Sequence, residues 1–427
     1  MQRRTFIVAG GALAMRAFGA NERVNVAIVG VGGRGRDHIT SYVKVPGARI
    51  AALCDVNTAQ TERGSVMVEK AMGEKPKIYQ DLRKLYDDKD IDAVSIATPN
   101  HWHALAAVWA CQAGKDVYSE KPASYNMYEG DQMVNAARKL NRIVQIGMQG
   151  RSTVHKRKAM QLLHDGAIGK IYMAKGLCFK RRPSIGHTPT ELVPPGLNWD
   201  IFLGPAPMRP YTKNRFAYNW HWFWDTGNGD IGNQGIHEMD IARWGLGRGL
   251  PAGAVSSGGK YLYDDDQETP NTQIASFDYG DAELVFEVRG LPTGGEAAIT
   301  GTREGFVGNL FLGDKGFMSV DHAGYQIFLG DKREPGESGT AEKVDDTAAH
   351  MQNFLDAVKS RRYQDLHGDV QEGVTSVSLV HIANISYRLG GRKLRFDAAS
   401  NSFANDSEAN AMRTRPKYRE SYVFPKI

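Results

Sequence analysis

Residues 24–35 read Val-Asn-Val-Ala-Ile-Val-Gly-Val-Gly-Gly-Arg-Gly, an apolar run that passes straight into Gly30-x-Gly32-x-x-Gly35. At that spacing Gly30 permits a tight turn, and Gly32 lets the backbone approach a pyrophosphate. Gly35 lets the following helix pack close to its strand, with Gly33 and Arg34 completing the loop at the helix N-terminus. A second apolar run, Ile50-Ala-Ala-Leu-Cys-Asp55, ends in a carboxylate. A carboxylate there accepts hydrogen bonds from ribose hydroxyls and repels a 2′-phosphate, so the expected cofactor is NAD. Arg34 and Asn57 keep NADP open as the second choice.

A lysine comes next. Ala97-Thr98-Pro99-Asn100 closes a strand pattern and His101-Trp102-His103 opens a helix; Gly114-Lys-Asp-Val-Tyr-Ser then runs into Glu120-Lys121-Pro122. A strand that stops there sets Lys121 at the carboxyl edge of the sheet, where open α/β sheets bind ligands. Beside an oxidised nicotinamide the ammonium form is disfavoured, so Lys121 is expected to accept or relay a proton. The run Tyr218-Asn-Trp220-His221-Trp222-Phe-Trp224 is strongly aromatic. Aromatic faces stack on sugar C–H faces while His and Asn read hydroxyls, which makes His221 and Trp222 candidate carbohydrate contacts. A packed loop or a subunit interface explains the same run. His221, His237, Glu238 and Asp240 are available metal ligands, but no full triad is legible, so no metal is expected.

The elements that must hold these residues alternate through 23–145. Strands are expected at Val24–Val29, Arg49–Cys54, Ala93–Ala97, Asp116–Ser119 and Ile143–Ile146, with helices such as Trp102–Ala113 and Tyr128–Leu140 between them. Short apolar runs with little alternation mark strands covered on both faces, hence a parallel sheet. Beyond 150 the expectation is a helix at 154–164, a strand at 170–180 and an aperiodic Gly/Pro/aromatic stretch at 183–235 wrapping the site. A helix at 236–246 follows, then an antiparallel sheet to about 330 and helices at 347–360 and 368–389. The fold class is thus α/β: a Rossmann dinucleotide-binding domain (21–150), an α/β domain with a large, mostly antiparallel sheet (151–397), and an arm (398–427) laid over a neighbour.

Bulk properties narrow the function. With 427 residues, 41% hydrophobic and 24% charged, the chain supports two ordinary cores. The formal charge is +5; Arg3, Arg4 and Arg16 carry three of those charges. No large basic face remains for nucleic acid. The clusters at 156–158 and 180–182 read as solvated faces or loops. Cys54, Cys111 and Cys178 show neither zinc nor disulfide spacing. Residues 1–20 join Arg3-Arg4 to a short small-residue apolar stretch broken by Arg16, which is similar to a twin-arginine export signal and too short for a permanent membrane span.

The glycine fingerprint, Cys54-Asp55-Val56-Asn57, Thr98-Pro99-Asn100 with His103, and Ala113-Gly114-Lys115 leading to Glu120-Lys121-Pro122 together resemble the Gfo/Idh/MocA oxidoreductases. Gly227-Asn-Gly-Asp230-Ile-Gly-Asn233-Gln-Gly235-Ile-His237-Glu-Met-Asp240 extends the likeness into the second half, toward an exported branch. The resemblance implies a catalytic lysine at Lys121 and an Asp-x-x-x-His pair whose histidine is His237. The aspartate position holds Asn233, which orients an imidazole but does not offset its charge. It also implies cofactor contacts from Thr98, Pro99, Asn100, His103, Glu120, Gln149 and Trp199, with Arg151 and Asp240 near the substrate. Asp240 pairs with His237 along one helix face, or merely packs.

The expected activity is NAD-dependent oxidation or reduction of a carbohydrate hydroxyl by a periplasmic homodimer or homotetramer. No free NAD pool exists outside the cytoplasm, so an exported enzyme must hold its cofactor and restore it in each cycle. An NAD-dependent glycosidase working by oxidation, elimination and reduction satisfies the same requirement. An exported sugar-binding protein without catalysis is the third reading.

Overall fold

The computed structural model describes residues 23–291 and 306–427. The expected export signal at 1–20 lies outside them.

Six strands form the first sheet: β1 (Val24–Val29), β2 (Ala48–Cys54), β3 (Lys77–Tyr79), β4 (Ala93–Ile96), β5 (Asp116–Ser119) and β6 (Val144–Ile146). Their order is β3-β2-β1-β4-β5-β6 and every pairing is parallel. The order reverses between β1 and β4, and the carboxyl ends at that switch point make the crevice of a doubly wound sheet. All four residues of β4 and all four of β5 are buried, as strands covered on both faces must be. The longer helices are α1 (Gly33–Tyr42), α2 (Thr58–Met72), α3 (His103–Gln112), α4 (Met127–Lys139), α5 (Val154–His164), α6 (Gly235–Leu246), α7 (Asp346–Ser360) and α8 (Val370–Arg388). Asn57 caps α2 by accepting from Ala59 N–H, and Asn126 caps α4 by accepting from Glu129 N–H.

Among the described residues the second sheet has ten strands: β7 (Ile171–Phe179), β8 (Gly253–Gly259), β9 (Thr272–Asp278), β10 (Glu283–Arg289), β11 (Val307–Gly313), β12 (Gly316–Asp321), β13 (Gly324–Leu329), β14 (Glu334–Thr340), β15 (Leu394–Asp397) and β16 (Ser402–Phe403). Its order is β14-β13-β12-β11-β7-β10-β9-β8-β15-β16. Among the described residues only the β7–β10 pairing is parallel. Period-two burial is plain in β10, where Leu284, Phe286 and Val288 point into the core. Helix α6 packs on that face, against β7, β10 and β11.

The two sheets share their covering helices. Helix α8 packs against α4 and β6 of the first unit and against β8 and α6 of the second. Helix α7 returns to the first sheet, where Met351, Phe354 and Leu355 join Val24, Val26 and Ile28 in one core. The C-terminal residues pack on their own chain: Tyr422 meets Trp102 edge-on at 5.5 Å, and Arg415 pairs with Glu129 at 3.3 Å. The expected arm at 398–427 makes these contacts within the chain. Apolar Tyr422 and the charge of Glu129 find their partners within the chain.

Candidate functional site

The glycine loop is built by close approach. Gly30 has φ +86°, and a Cβ there would lie 2.7 Å from the Ala97 carbonyl oxygen; a Cβ on Gly35 would lie 1.9 Å from the Gly30 oxygen. A side chain at either position breaks the strand–turn–helix unit. Gly32 and Gly33 instead face open space, with nothing within 4 Å of an added Cβ. No side chain caps α1. Its first N–H groups and the free volume beside them fit a pyrophosphate. Asp55 accepts from Val31 N–H at 2.6 Å and from Asn57 N–H at 2.8 Å. Burial pushes its carboxyl up to about 6 against those two donors. The ribose hydroxyls of a dinucleotide would add donors where this carboxylate has been desolvated, so the residues present fit NAD.

A cleft of about 720 Å³ runs from this loop past Asp55, Thr98, Pro99 and Lys121 to Tyr218, Trp220, His221 and Asn233. Lys121 Nζ donates to the Asn233 carbonyl at 2.7 Å. Burial pulls its ammonium down from the usual lysine range; Glu120 opposes that and Arg34 adds to it. Burial alone would raise the Glu120 carboxyl, but Arg34, His38 and Lys121 outweigh it and hold it well below the ordinary range. Arg34 Nε donates to Glu120 at 2.8 Å, and the residue also lines the cleft. His103 lines the cleft with its two ring nitrogens 2.7 and 2.8 Å from the Pro122 and Thr98 carbonyls, fixing the lysine loop to the Thr98 loop.

The first part of the aromatic run, Tyr218 to Trp222, lies in the 3-10 helix Ala217–Trp222. Trp220 and His221 stack at 3.5 Å and 22°, and both reach the cleft. His221 Nδ1 donates to the Tyr218 carbonyl at 2.6 Å, and burial holds its imidazole well below its usual range.

Other expected residues sit elsewhere. Trp222 is 3% exposed and stays out of the cleft; its ring lies under Arg182 and its carbonyl accepts from Glu268 and Thr269 N–H groups. Trp199 stacks on Phe202 at 4.8 Å and bonds Arg209, so Phe202 takes the cleft-lining place. Asn100 is fully buried and donates to Asn228, linking the two halves of the chain. Arg151 and Asp240 satisfy each other through two 2.8 Å hydrogen bonds, both buried, and Asp240 takes a third from Ser376. Asp240 is therefore no partner for His237. Gln149 donates to Tyr118 and Glu120.

His237 lines an adjoining cavity of about 360 Å³, with Gln149, Lys156, Lys180 and Glu238. Burial and then the Lys121 charge bring its imidazole down to about 3. Burial pushes the Glu238 carboxyl up to about 7, and its Oε2 has no hydrogen-bond partner among the described residues. Among the described residues no group of three or more His, Cys, Asp or Glu is placed to hold a metal ion, and no helix is long and apolar enough to cross a membrane. Arg182, read in sequence as part of a solvated cluster, instead clamps buried Asp230 at 2.8 and 3.0 Å. Tyr218 faces the cleft and was visible in sequence only as one ring among several.

Residues 24–148 match the family model described as "Oxidoreductase family, NAD-binding Rossmann fold" of the Gfo/Idh/MocA proteins. Residues 171–252 and 323–423 match that family's C-terminal alpha/beta domain. A glycosyl hydrolase family 109 protein of Saccharopolyspora erythraea is 29% identical over 221 residues, 50% of this chain and 43% of that protein. Levoglucosan dehydrogenase of Pseudarthrobacter phenanthrenivorans is 26% identical over 241 residues, 55% and 54% of the two chains. The chain thus spans about half the length of these curated relatives. Among solved structures, the WlbA dehydrogenase of Bordetella pertussis, in complex with NADH and UDP-GlcNAcA, superposes with a TM-score of 0.65 at 19% identity. That match covers 88% of this chain and 99% of the other.

Proposed function

We propose, for a chain that belongs to the Gfo/Idh/MocA oxidoreductase family, that it interconverts a hydroxyl and a carbonyl of a carbohydrate using bound NAD. The observation that carries this reading is one cleft joining the uncapped glycine loop, Lys121 and the Tyr218–His221 aromatic wall. NAD, when bound, supplies the nicotinamide that takes up or returns the hydride of the sugar's C–H. The chain supplies the rest. The α1 N–H groups hold the pyrophosphate, Asp55 reads the ribose and favours NAD over NADP, and Lys121 relays the hydroxyl proton. Trp220 covers a sugar face while His221 reads a hydroxyl. Lys121→Ala is expected to lower turnover by about 100-fold or more while leaving bound NAD in place; a non-catalytic sugar-binding protein would be indifferent to that change.

We further propose that residues 1–20 direct twin-arginine export of a folded homodimer or homotetramer, and that NAD leaves the cytoplasm inside it. Replacing Arg3 and Arg4 by Lys is then expected to keep the protein out of the periplasmic fraction. A trapped cofactor must end each cycle as it began. Coupled oxidation and reduction of two sugars satisfies this. So does a glycosidase cycle: oxidise one carbinol, expel the aglycone across the acidified neighbouring C–H, add water, and reduce again. The second is supported by likeness to a glycosyl hydrolase family 109 protein.

The test is to purify the mature protein without added cofactor, denature it and quantify NAD(H). About one per chain supports the closed cycle and directs screening to methyl glycosides and sugar pairs. None points to an exchanging dehydrogenase or to loss of redox chemistry.

A further inference from the structure

Asn233 stands where the resemblance leads one to expect an aspartate, and the structure supplies a reason. Its Nδ2 donates to the Tyr218 phenol oxygen at 2.8 Å and lies 3.3 Å from Asp230 Oδ1. An aspartate at 233 would set a second carboxylate against Asp230 and offer the phenol no donor. Arg182 donates to the same phenol oxygen through Nη1 at 3.1 Å while its Nε and Nη2 grip Asp230. Tyr218 Oη therefore accepts two hydrogen bonds from within the protein. A phenol oxygen so occupied has its own O–H left to give. Tyr218 is 51% exposed and lines the same cleft as Lys121. The two groups bracket one residue: Lys121 Nζ holds the carbonyl of Asn233 and Tyr218 holds its side chain. His237, which would otherwise fill this role, faces the adjoining cavity and stays neutral.

We propose that Tyr218 exchanges the proton with the reacting sugar oxygen, and that Arg182, Asp230 and Asn233 are the residues that position it. The proposal rests on the reading of the cleft as a sugar oxidoreductase site and adds the group that touches the substrate. In the reducing direction the Tyr218 O–H bond breaks and a new O–H bond forms on the substrate's carbonyl oxygen. The carbonyl carbon takes the hydride that the reduced cofactor supplies. The phenolate left behind faces the Arg182 cation until a proton taken from solvent and relayed by Lys121 restores the phenol. The oxidising direction runs the same exchange backwards, so charge and electrons balance in both.

Two measurements decide it. In the first, the NAD-loaded protein is treated with N-acetylimidazole, which acylates phenol oxygens open to solvent, and the modified peptides are mapped. Tyr218 is expected to react, as are Tyr172 and Tyr261, each 49% exposed, whereas fully buried Tyr42 and Tyr118 are spared. Acylation of Tyr172 and Tyr261 with Tyr218 spared overturns the proposal, whatever the substrate. In the second, methyl glycosides and free aldoses are screened for a change at 340 nm, and Tyr218→Phe is compared with the parent on any sugar that responds. The expectation is a fall in kcat of about 100-fold or more, with NAD content unchanged and KM within a few-fold. Asp230→Asn, which loosens Arg182, is expected to lower kcat and to displace the pH profile, which a purely structural role would not do. A Tyr218→Phe enzyme within threefold of the parent overturns the proposal. Failure of the parent on every sugar counts against the function itself and leaves the acylation result to judge Tyr218.

Discussion

At the scale of single residues, burial has tuned several ionisable groups in the two adjoining cavities. Asp55 must be ionised to accept from ribose hydroxyls, and in the free protein its carboxyl sits near 6 because burial disfavours the charge. Binding of NAD at acid pH must first remove that proton. Affinity is therefore expected to fall about tenfold per pH unit below about 6 and to level off above it; calorimetric titration between pH 5 and 8 checks this, and Asp55→Asn should flatten the profile. Glu238 makes a stability prediction. Its folded-state value of about 7 lies above the ordinary 4.5, so between those values the folded chain holds more protons than the unfolded one. Stability must then fall as pH rises from about 4.5 through 7, by up to about 3 kcal/mol from this group. Glu238→Gln removes the loss: the variant should melt higher than the parent at pH 8 and no higher at pH 5. Equal melting points at pH 8 would show that the carboxyl is not paying this desolvation cost.

At the scale of elements, α6 brings three ionisable residues to one place. His237, Glu238 and Asp240 all line one cavity, and Asp240 is tied down there by Arg151 and Ser376. Burial would raise the Asp240 carboxyl, but Arg151 more than offsets it and holds it below the ordinary range. Arg151→Met removes the ion-pair partner and leaves Ser376 and the Arg243 charge to offset the buried carboxylate, which is expected to cost about 3 kcal/mol. Arg151→Met with Asp240→Leu together should recover most of that, and chemical denaturation of the three variants reads the cycle. Strand and helix placement was largely legible: β1, β5 and α5 fall where the apolar patterns put them. The three-residue β3, with two exposed residues, left no apolar signature to read, and β14 is mostly exposed and carries Glu, Pro and Gly. Both owe their pairing to the neighbouring strand rather than to their own pattern.

At the scale of the whole molecule, late segments close early ones. Arg415 lies 3.6 Å over the Tyr125 ring and pairs with wholly buried Glu129, and Tyr422 covers Trp102. Removing residues 413–427 exposes that apolar surface and strands the Glu129 charge. The truncated chain is expected to lose about 3–5 kcal/mol and to melt several degrees lower; an unchanged melting point would mean the C-terminal residues only decorate the surface. The long returns of α7 and α8 to the first sheet also mean that the two halves share cores.

By itself the sequence determined the glycine loop, Asp55, the edge lysine and the class of both sheets. Each is a local matter: a turn that admits only glycine, a run whose period matches one kind of burial, a side chain fixed at a strand end. The tertiary structure alone decided which rings of the 218–224 run see the cleft, why Arg151 and Asp240 are spent on each other across 89 positions, and what Asn233 is for. The stretch from 183 to 235 has no repeating period, so nothing along the chain states which way each side chain turns. Pairing of charges distant in sequence is set by packing, where the cost of a buried charge left alone chooses the partner.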